Sequence, residues 1–284
     1  MTNKRNLIFA MSVLLSFGLC QNAFAQFPGG GQGPQGAPQG AQQARPAFQG
    51  QAPQGGPQGG QQARPQGGFG ARQPVTFEPT DITPYFSPST KKPMAPDSEG
   101  FIRRWLLLEP ITKSTIRNSN TPFVDSYIRE QFGMQYFPNQ MTLIPRDGDV
   151  VKVDGKDLKW HALDSKLYNT KLFRFATSLE NSDRYGILFW AVTVINCDED
   201  IENIRLAVGS NSASMWWLNG EEAVILSGDR RMVADDATSK RLTLKKGKNV
   251  LRGAVINGPG MSDFCVRFID ENGNPVKNMT ITNE

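Results

Sequence analysis

The 284-residue chain contains one histidine, His161, and three cysteines. Cys20 lies in an expected leader, and a single histidine with two strand cysteines does not make a zinc set, which takes about four ligands. The Gly-x-Ser-x-Gly turn of serine hydrolases is missing, because Gly209-Ser210-Asn211-Ser212-Ala213 lacks the spacing and the closing glycine. Ser227-Gly228-Asp229-Arg230 has the wrong order for a Gly-Asp-Ser block. A nucleophile also needs a base, and a lone strand histidine beside Trp160 reads as a packed or surface residue. Acids are plentiful in the loops (Asp198, Glu199, Asp200, Glu221, Glu222, Asp235, Asp236), a pattern of solvated charge more than of one catalytic carboxylate pair. Those loops leave a structural Ca²⁺ open, although no EF-hand spacing supports one. No catalytic residue, metal site or cofactor is therefore assigned.

Acidic residues are also absent before Glu78. The chain has 31 Lys and Arg against 27 Asp and Glu, but five of the basic residues precede Val75, so the remainder is nearly neutral. A nucleic-acid partner calls for a concentrated basic field, and none is left. Long apolar runs are missing too, apart from residues 7–19. Lys4 and Arg5 precede that run and Ala23-Phe24-Ala25 follows it, the pattern of a secretory signal over 1–25 and too short to span a membrane. Leu19 before Cys20 is too bulky for a lipidation site. Export to the periplasm, cell surface or exterior is expected, which permits but does not require a Cys197–Cys265 disulfide.

Residues 26–76 are almost wholly Gly, Gln, Pro and Ala, with QQARP at 42–46 returning at 61–65. So few apolar side chains cannot offset an ordering entropy of about 1–2 kcal/mol per residue, and a disordered tether is expected. The absence of a strict three-residue glycine period excludes collagen.

What remains, 77–284, suits one large β domain entered through an irregular arm over 77–100. Residues 101–108 (FIRRWLLL) read as a buried strand stopped by Pro110. Thr121-Pro122 opens the one convincing helix, with Asp125 near its positive end and Gly133 closing it. Further strands are expected at 156–162, 171–177 and 185–195, the last apolar enough to be central in a sheet. Asp147-Gly148, Asp154-Gly155, Asn219-Gly220 and Asn272-Gly273 mark turns, and a strand pair is expected around Lys246-Gly247. Asn-Gly between apolar runs is a strong hairpin signal, because a type I′ turn needs positive φ at both central residues. The fold expected is mostly β, a two-sheet antiparallel sandwich or jelly roll with one short helix.

The order WLLLEP (105–110), LKWHALD (158–164), YGILFWAVTV, GSNSASMWWLNGEE and RLTLKKGKNVLRGAVIN (241–257), ending in FCVRFIDENGNPV, resembles the galactose-binding-like jelly-roll domains of secreted polysaccharide-degrading proteins. The resemblance covers about residues 101–276. It points to exported proteins of Bacteroidetes-type bacteria that accompany xylan or acetylxylan breakdown, some labelled acetylxylan esterases. Glu109 stands where that family has Gly, and Asn211-Ser212 replace its paired acids, which weakens any cation role at that loop.

Sugar binding needs aromatic faces and directional polar groups. Trp216 and Trp217 are neighbours in a strand and must point to opposite faces. The resemblance puts Trp217 at the usual WLNG position, in the core. Trp216 then becomes the candidate stacking platform, unless a neighbouring loop covers it. Asn211, Asp229, Arg230, Asp235 and Asn257 lie on loops that could converge beside it; ordinary loop polarity is the alternative for each.

The expected function is an exported, non-catalytic module that binds a polysaccharide or oligosaccharide, or a partner glycan-degrading enzyme. An esterase without a recognisable nucleophile motif and a structural cell-surface component are the alternatives. Limited proteolysis is expected to trim residues 26–74 and leave a resistant fragment starting between about Val75 and Gly100. Equal protection of the tail and the core would contradict the tether.

Overall fold

The computed structural model describes residues 78–112, 123–180, 182–183, 185–228, 230–257 and 261–284. The leader and tether expected over 1–76 lie outside them, as do Thr121, Pro122 and Asp229. Among the described residues the chain begins with β1 (Phe86–Pro88), β2 (Arg104–Leu108) and β3 (Ile111–Thr112), then α1 (Asp125–Gly133). It continues through β4 (Val150–Val153), β5 (Lys156–Ser165), α2 (Leu172–Thr177), β6 (Ile187–Cys197) and β7 (Ile201–Ser210). The hairpin β8 (Ser214–Leu218) and β9 (Glu221–Leu226) comes next, followed by β10 (Ala237–Thr238) and β11 (Leu242–Leu244). The last strands are β12 (Gly247–Ile256), β13 (Phe264–Ile269) and β14 (Thr280–Thr282).

These strands form two antiparallel sheets, one of ten strands and one of four, as the mostly-β sandwich expectation requires. The large sheet runs β1-β5-β2-β6-β12-β8-β9, and the small one gathers β10, β11 and β13 around β7. β6 is the axis. β12 pairs along one of its edges from Gly247 against Cys197 to Ile256 against Leu188. Three short strands share the other edge: β3 beside Leu188, β2 beside Val192 and β14 beside Ile195.

Period-two alternation sends the residues of β6 to two separate cores. Phe189, Ala191 and Ile195 face the small sheet, where they meet Trp105, Leu107, Trp216, Leu251, Val255, Phe264 and Phe268. Leu188, Trp190 and Val192 face the other way. There they join Trp160, Met215 and Trp217 of the sheet with Ile128 and Phe132 of α1 and Phe137 beyond it. The molecule therefore has three layers, the small sheet, the large sheet and a covering segment built on α1.

The hairpin turns come out as the turn chemistry demands. Asn219 and Gly220 both take positive φ, 53° and 87°, between β8 and β9. Asp154 and Gly155 do the same, at 49° and 80°, between β4 and β5. Three local expectations are corrected. The strand expected over 171–177 is instead α2, Leu172–Thr177 with Lys171 as its N-cap, because Leu172, Phe175 and Ala176 bury one face at helical spacing. The chain has a second helix for the same reason. Lys246-Gly247 does not join a strand pair, since β11 belongs to the small sheet and β12 to the large one, so the turn carries the chain between layers. Helix α1 starts at Asp125, with Val124 as an extended N-cap that makes no side-chain cap bond.

The central correction concerns Trp216. It is 0% exposed, packed edge-on against Trp105 and Phe264 at ring distances of 5.8 and 5.0 Å. Its indole occupies the space left by Gly253 on the neighbouring strand β12, where an added Cβ would lie 2.3 Å from Cζ3. A sugar cannot stack on it. Trp216→Ala is expected to cost about 3–5 kcal/mol, as for a buried aromatic truncated to a cavity. Gly253→Ala should cost about 1–3 kcal/mol through the opposite fault, overpacking against the same ring. Urea unfolding of both variants checks the pair, and an unchanged midpoint for Gly253→Ala would refute this packing.

Candidate functional site

A cleft opens over the outer core. Helix α1 buries Ile128 and Phe132 against the sheet, and Phe132 meets Trp217 edge-to-face at 6.4 Å. Trp217 in turn stacks on Trp190 at 5.6 Å with the rings 19° apart. After the helix the chain folds back over 134–144. Gln140 organises this return, its Oε1 accepting from the Tyr136 amide at 2.8 Å and its Nε2 donating to the Met134 carbonyl at 3.0 Å. Asn139 has positive φ, 56°, and its carbonyl accepts from the amides of Thr142 and Leu143. Phe137 pins the segment down, edge-on to Trp160 and Trp190 at 6.1 and 6.3 Å.

Between helix, return segment and β8 lies a cleft of about 450 Å³ lined by Arg129, Phe132, Gly133, Gln135, Asn139, Gln140, Met141, Thr142, Met215 and Trp217. Its floor is aromatic and thioether, while Gln135, Asn139 and Thr142 are exposed at its rim. Trp217 is 7% exposed, so part of the indole reaches the open space. Glu222 stands opposite Trp217 on β9 and forms an ion pair with Arg129 from the helix. On the other side of Trp217, β12 places Arg252 in register. Arg252 is 2% exposed, and burial pulls its guanidinium down to about 10. It donates to the Leu143 carbonyl, next in the chain to the rim residue Thr142.

The residues chosen from the sequence do not assemble there. Trp216 lies between the sheets, on the face opposite the cleft. Asn257 is 0% exposed, its amide donating to the Ile187 carbonyl at 2.8 Å. The Asn211 amide donates to the Asp263 carbonyl at 2.8 Å, which ties that loop to the start of β13. Arg230 pairs with Asp236 and donates to the Ser227 carbonyl at 2.9 Å, while Asp235 pairs with Arg267. These are internal ties between loops, and none of the five lines the cleft. The Ser-rich loop is also internal. Ser210 donates to the Ser212 carbonyl and contacts the Ser214 hydroxyl, which accepts the indole N–H of Trp216 at 3.1 Å. What sequence reasoning missed is the segment 134–144, whose aromatic Phe137 and turn-forming Asn139 were the available signals.

A second concavity of about 820 Å³ lies among Ser89, Thr90, Lys91, Arg146, Asn196, Thr282 and Glu284. No aromatic ring lines it. His161 sits apart from both, its Nε2 2.9 Å from Glu109 Oε1 and its ring edge-on to Phe175 at 5.4 Å. A histidine oriented by a carboxylate is two parts of a triad, and among the described residues no hydroxyl or thiol is hydrogen-bonded to it. No group of three or more His, Cys, Asp or Glu among the described residues is placed to hold a metal ion. No helix among them is long and apolar enough to cross a membrane.

No protein-family model matches the chain, and no curated protein matches it. Solved structures do show a distant likeness. The PA14 domain of the MpAFP antifreeze protein aligns over 68% of this chain and 96% of its own, with 11% identity and a TM-score of 0.35. The PA14 sugar-binding domain of an RTX adhesin aligns over 63% of this chain and 96% of its own, at 11% identity and a TM-score of 0.34. A β-glucosidase from Kluyveromyces marxianus aligns over 44% of this chain, with 19% identity and a TM-score of 0.33. The chain spans 16% of the length of that enzyme.

Cys197 and Cys265 are free and buried, at the end of β6 in the large sheet and in β13 of the small one. Burial raises both thiols, that of Cys265 to about 12. In the unfolded chain a thiol ionises near pH ~8.5, so this contribution to stability is complete below that pH. It is lost as pH rises through the interval up to about 12. Native protein at pH 8 should therefore resist a thiol reagent, and denaturant should expose both sulfurs. Resistance that persists in denaturant until a reductant is added would instead show a disulfide.

Proposed function

We propose that this chain is an exported, non-catalytic module that binds a glycan in the cleft between α1 and β8. The observation that carries this function is the pairing of an aromatic floor, Trp217 and Phe132, with an exposed rim of amides and hydroxyl, Gln135, Asn139 and Thr142. Sugars present alternating CH faces and hydroxyls. An apolar floor takes the first and short polar side chains take the second. The volume suits a unit or two of a chain whose ends run out to solvent. The Gly/Gln/Pro-rich stretch after the leader would serve as a spacer holding the module away from its point of attachment. The distant likeness to a PA14 sugar-binding domain agrees in kind and adds no residue to the site.

A carbohydrate esterase is the second reading, and the His161–Glu109 pair is what favours it. The pair lies on the sheet face opposite the cleft, beside Phe175 of the inner core, so the two functions separate by mutation.

Binding is measured by calorimetry against a panel of plant-type oligosaccharides. Gln135→Ala with Asn139→Gly, a change that keeps the positive φ, should weaken it about tenfold, since each lost hydrogen bond is worth about 0.5–1.5 kcal/mol. Thermal stability should hold, because both side chains are exposed. Acetyl release from acetylated xylan should not exceed buffer. A rate that vanishes in folded His161→Ala would establish the esterase instead.

A further inference from the structure

Gly133 ends α1 without doing what a helix-closing glycine ordinarily does. Such a glycine follows the last helical residue and takes a left-handed conformation that other residues resist. Gly133 is instead the last helical residue itself, and its φ is not positive. Met134 follows as an extended cap at φ −66° and ψ 136°. Any L-residue fits a helical backbone, and nearly all form helix more readily than glycine.

Crowding does not call for a glycine there either. A Cβ added at Gly133 would meet no heavy atom within 4 Å. Every other glycine among the described residues has one reason or the other. A Cβ at Gly209 or Gly253 would lie 1.8 or 2.3 Å from a neighbour, and the rest have positive φ. What sets Gly133 apart is its place on the wall of the cleft, which it shares with Arg129 and Phe132 of the same helix. Positions 129, 132 and 133 are spaced i, i+3 and i+4, so they lie on one helix face. Helical side chains tilt toward the N-terminus. A side chain at 133 would therefore lean over its own turn toward Arg129, which is paired with Glu222 opposite Trp217. The space it would fill is that of the cleft.

The bare helix end also has chemistry to offer. The final carbonyls of a helix have no intrahelical partner and carry its partial negative charge. One of them, on Gln131, accepts from the Tyr136 hydroxyl at 2.7 Å. Such carbonyls are acceptors for hydroxyl donors, and with no side chain at 133 the backbone of that last turn is uncovered on the cleft side. We propose that Gly133 is a binding determinant of the cleft, kept without a side chain so that a sugar ring can lie against the end of α1 and donate its hydroxyls there. This rests on the glycan-binding function proposed above and adds to that site a wall that neither its aromatic floor nor its amide rim supplies.

The test is a graded series, Gly133→Ala and Gly133→Leu in the full chain, titrated by calorimetry with xylo-, cello- and manno-oligosaccharides. Gly133→Ala is expected to weaken binding about tenfold, the effect of one methyl group forced into a fitted contact. Gly133→Leu should abolish it. Both variants should melt at an equal or higher temperature than the native protein, since each replaces glycine by a better helix former. Glu130→Ala, an exposed change on the same helix outside the cleft lining, should bind as the native protein does. Undiminished binding by both Gly133 variants overturns the role of Gly133 and leaves glycan binding intact. A lower melting temperature for Gly133→Ala would show a structural glycine and likewise overturn the proposal. No binding of any of these sugars by the native protein overturns both. Gly133→Ala decides the matter if Gly133→Leu does not fold.

Discussion

The large sheet is covered on both faces, and the rest of the molecule follows from that constraint. β6 is buried along nearly its whole length, and successive residues feed two cores that share no side chain. A sandwich of two sheets would need only one of these cores. The second exists because α1 and the returning segment 134–144 lie on the outer face, and it is there that a concave surface forms. Cleft and covering layer are one feature. A sheet face left to solvent would carry polar residues at alternate positions, whereas β6 carries Leu188, Trp190 and Val192.

The adjacent tryptophans show how this doubled burial defeats a simple rule. Alternation correctly sends Trp216 and Trp217 to opposite faces. It does not follow that one of the two faces water, since both faces are roofed. The resemblance drawn from the sequence marks Trp217 as the core residue and leaves Trp216 over, yet Trp216 is the more deeply buried, 0% exposed against 7%. Gly253, across the strand pair, is the residue that reveals this, because a glycine inside an otherwise apolar strand signals that something large approaches its backbone.

Strands and turns were readable where short-range chemistry decides them. Asn219-Gly220 and Asp154-Gly155 turn as their φ values require, and the apolar run of β6 is central, as such a run must be. The reading failed where tertiary packing decides. Residues 172–177 carry both aromatic content and helical spacing, and burial of Leu172, Phe175 and Ala176 selects the helix. Of the loop residues with the polarity of a binding site, Arg230 and Asp235 pair with Asp236 and Arg267, Asn257 is buried, and the Asn211 backbone is tied to Asp263. The cleft was hidden because its parts are scattered. A helix, an irregular return and one strand contribute to it, and no local pattern joins Arg129 to Trp217 or Trp217 to Arg252.

The shared edge of β6 bears on the order of events during synthesis. Its partners there come from both sides of it in the chain, β2 and β3 before and β14 some eighty residues after. The extended arm at Met94 exchanges two backbone bonds with Ile281, of 3.0 and 2.7 Å, so the early part of the domain is stitched to the late part. A nascent chain that has reached β12 can assemble the middle of the large sheet but leaves the far end of β6 without its neighbour. Closure waits until Thr282 has been made. Until then the polypeptide keeps an unpaired strand edge, which is open to pairing with another chain.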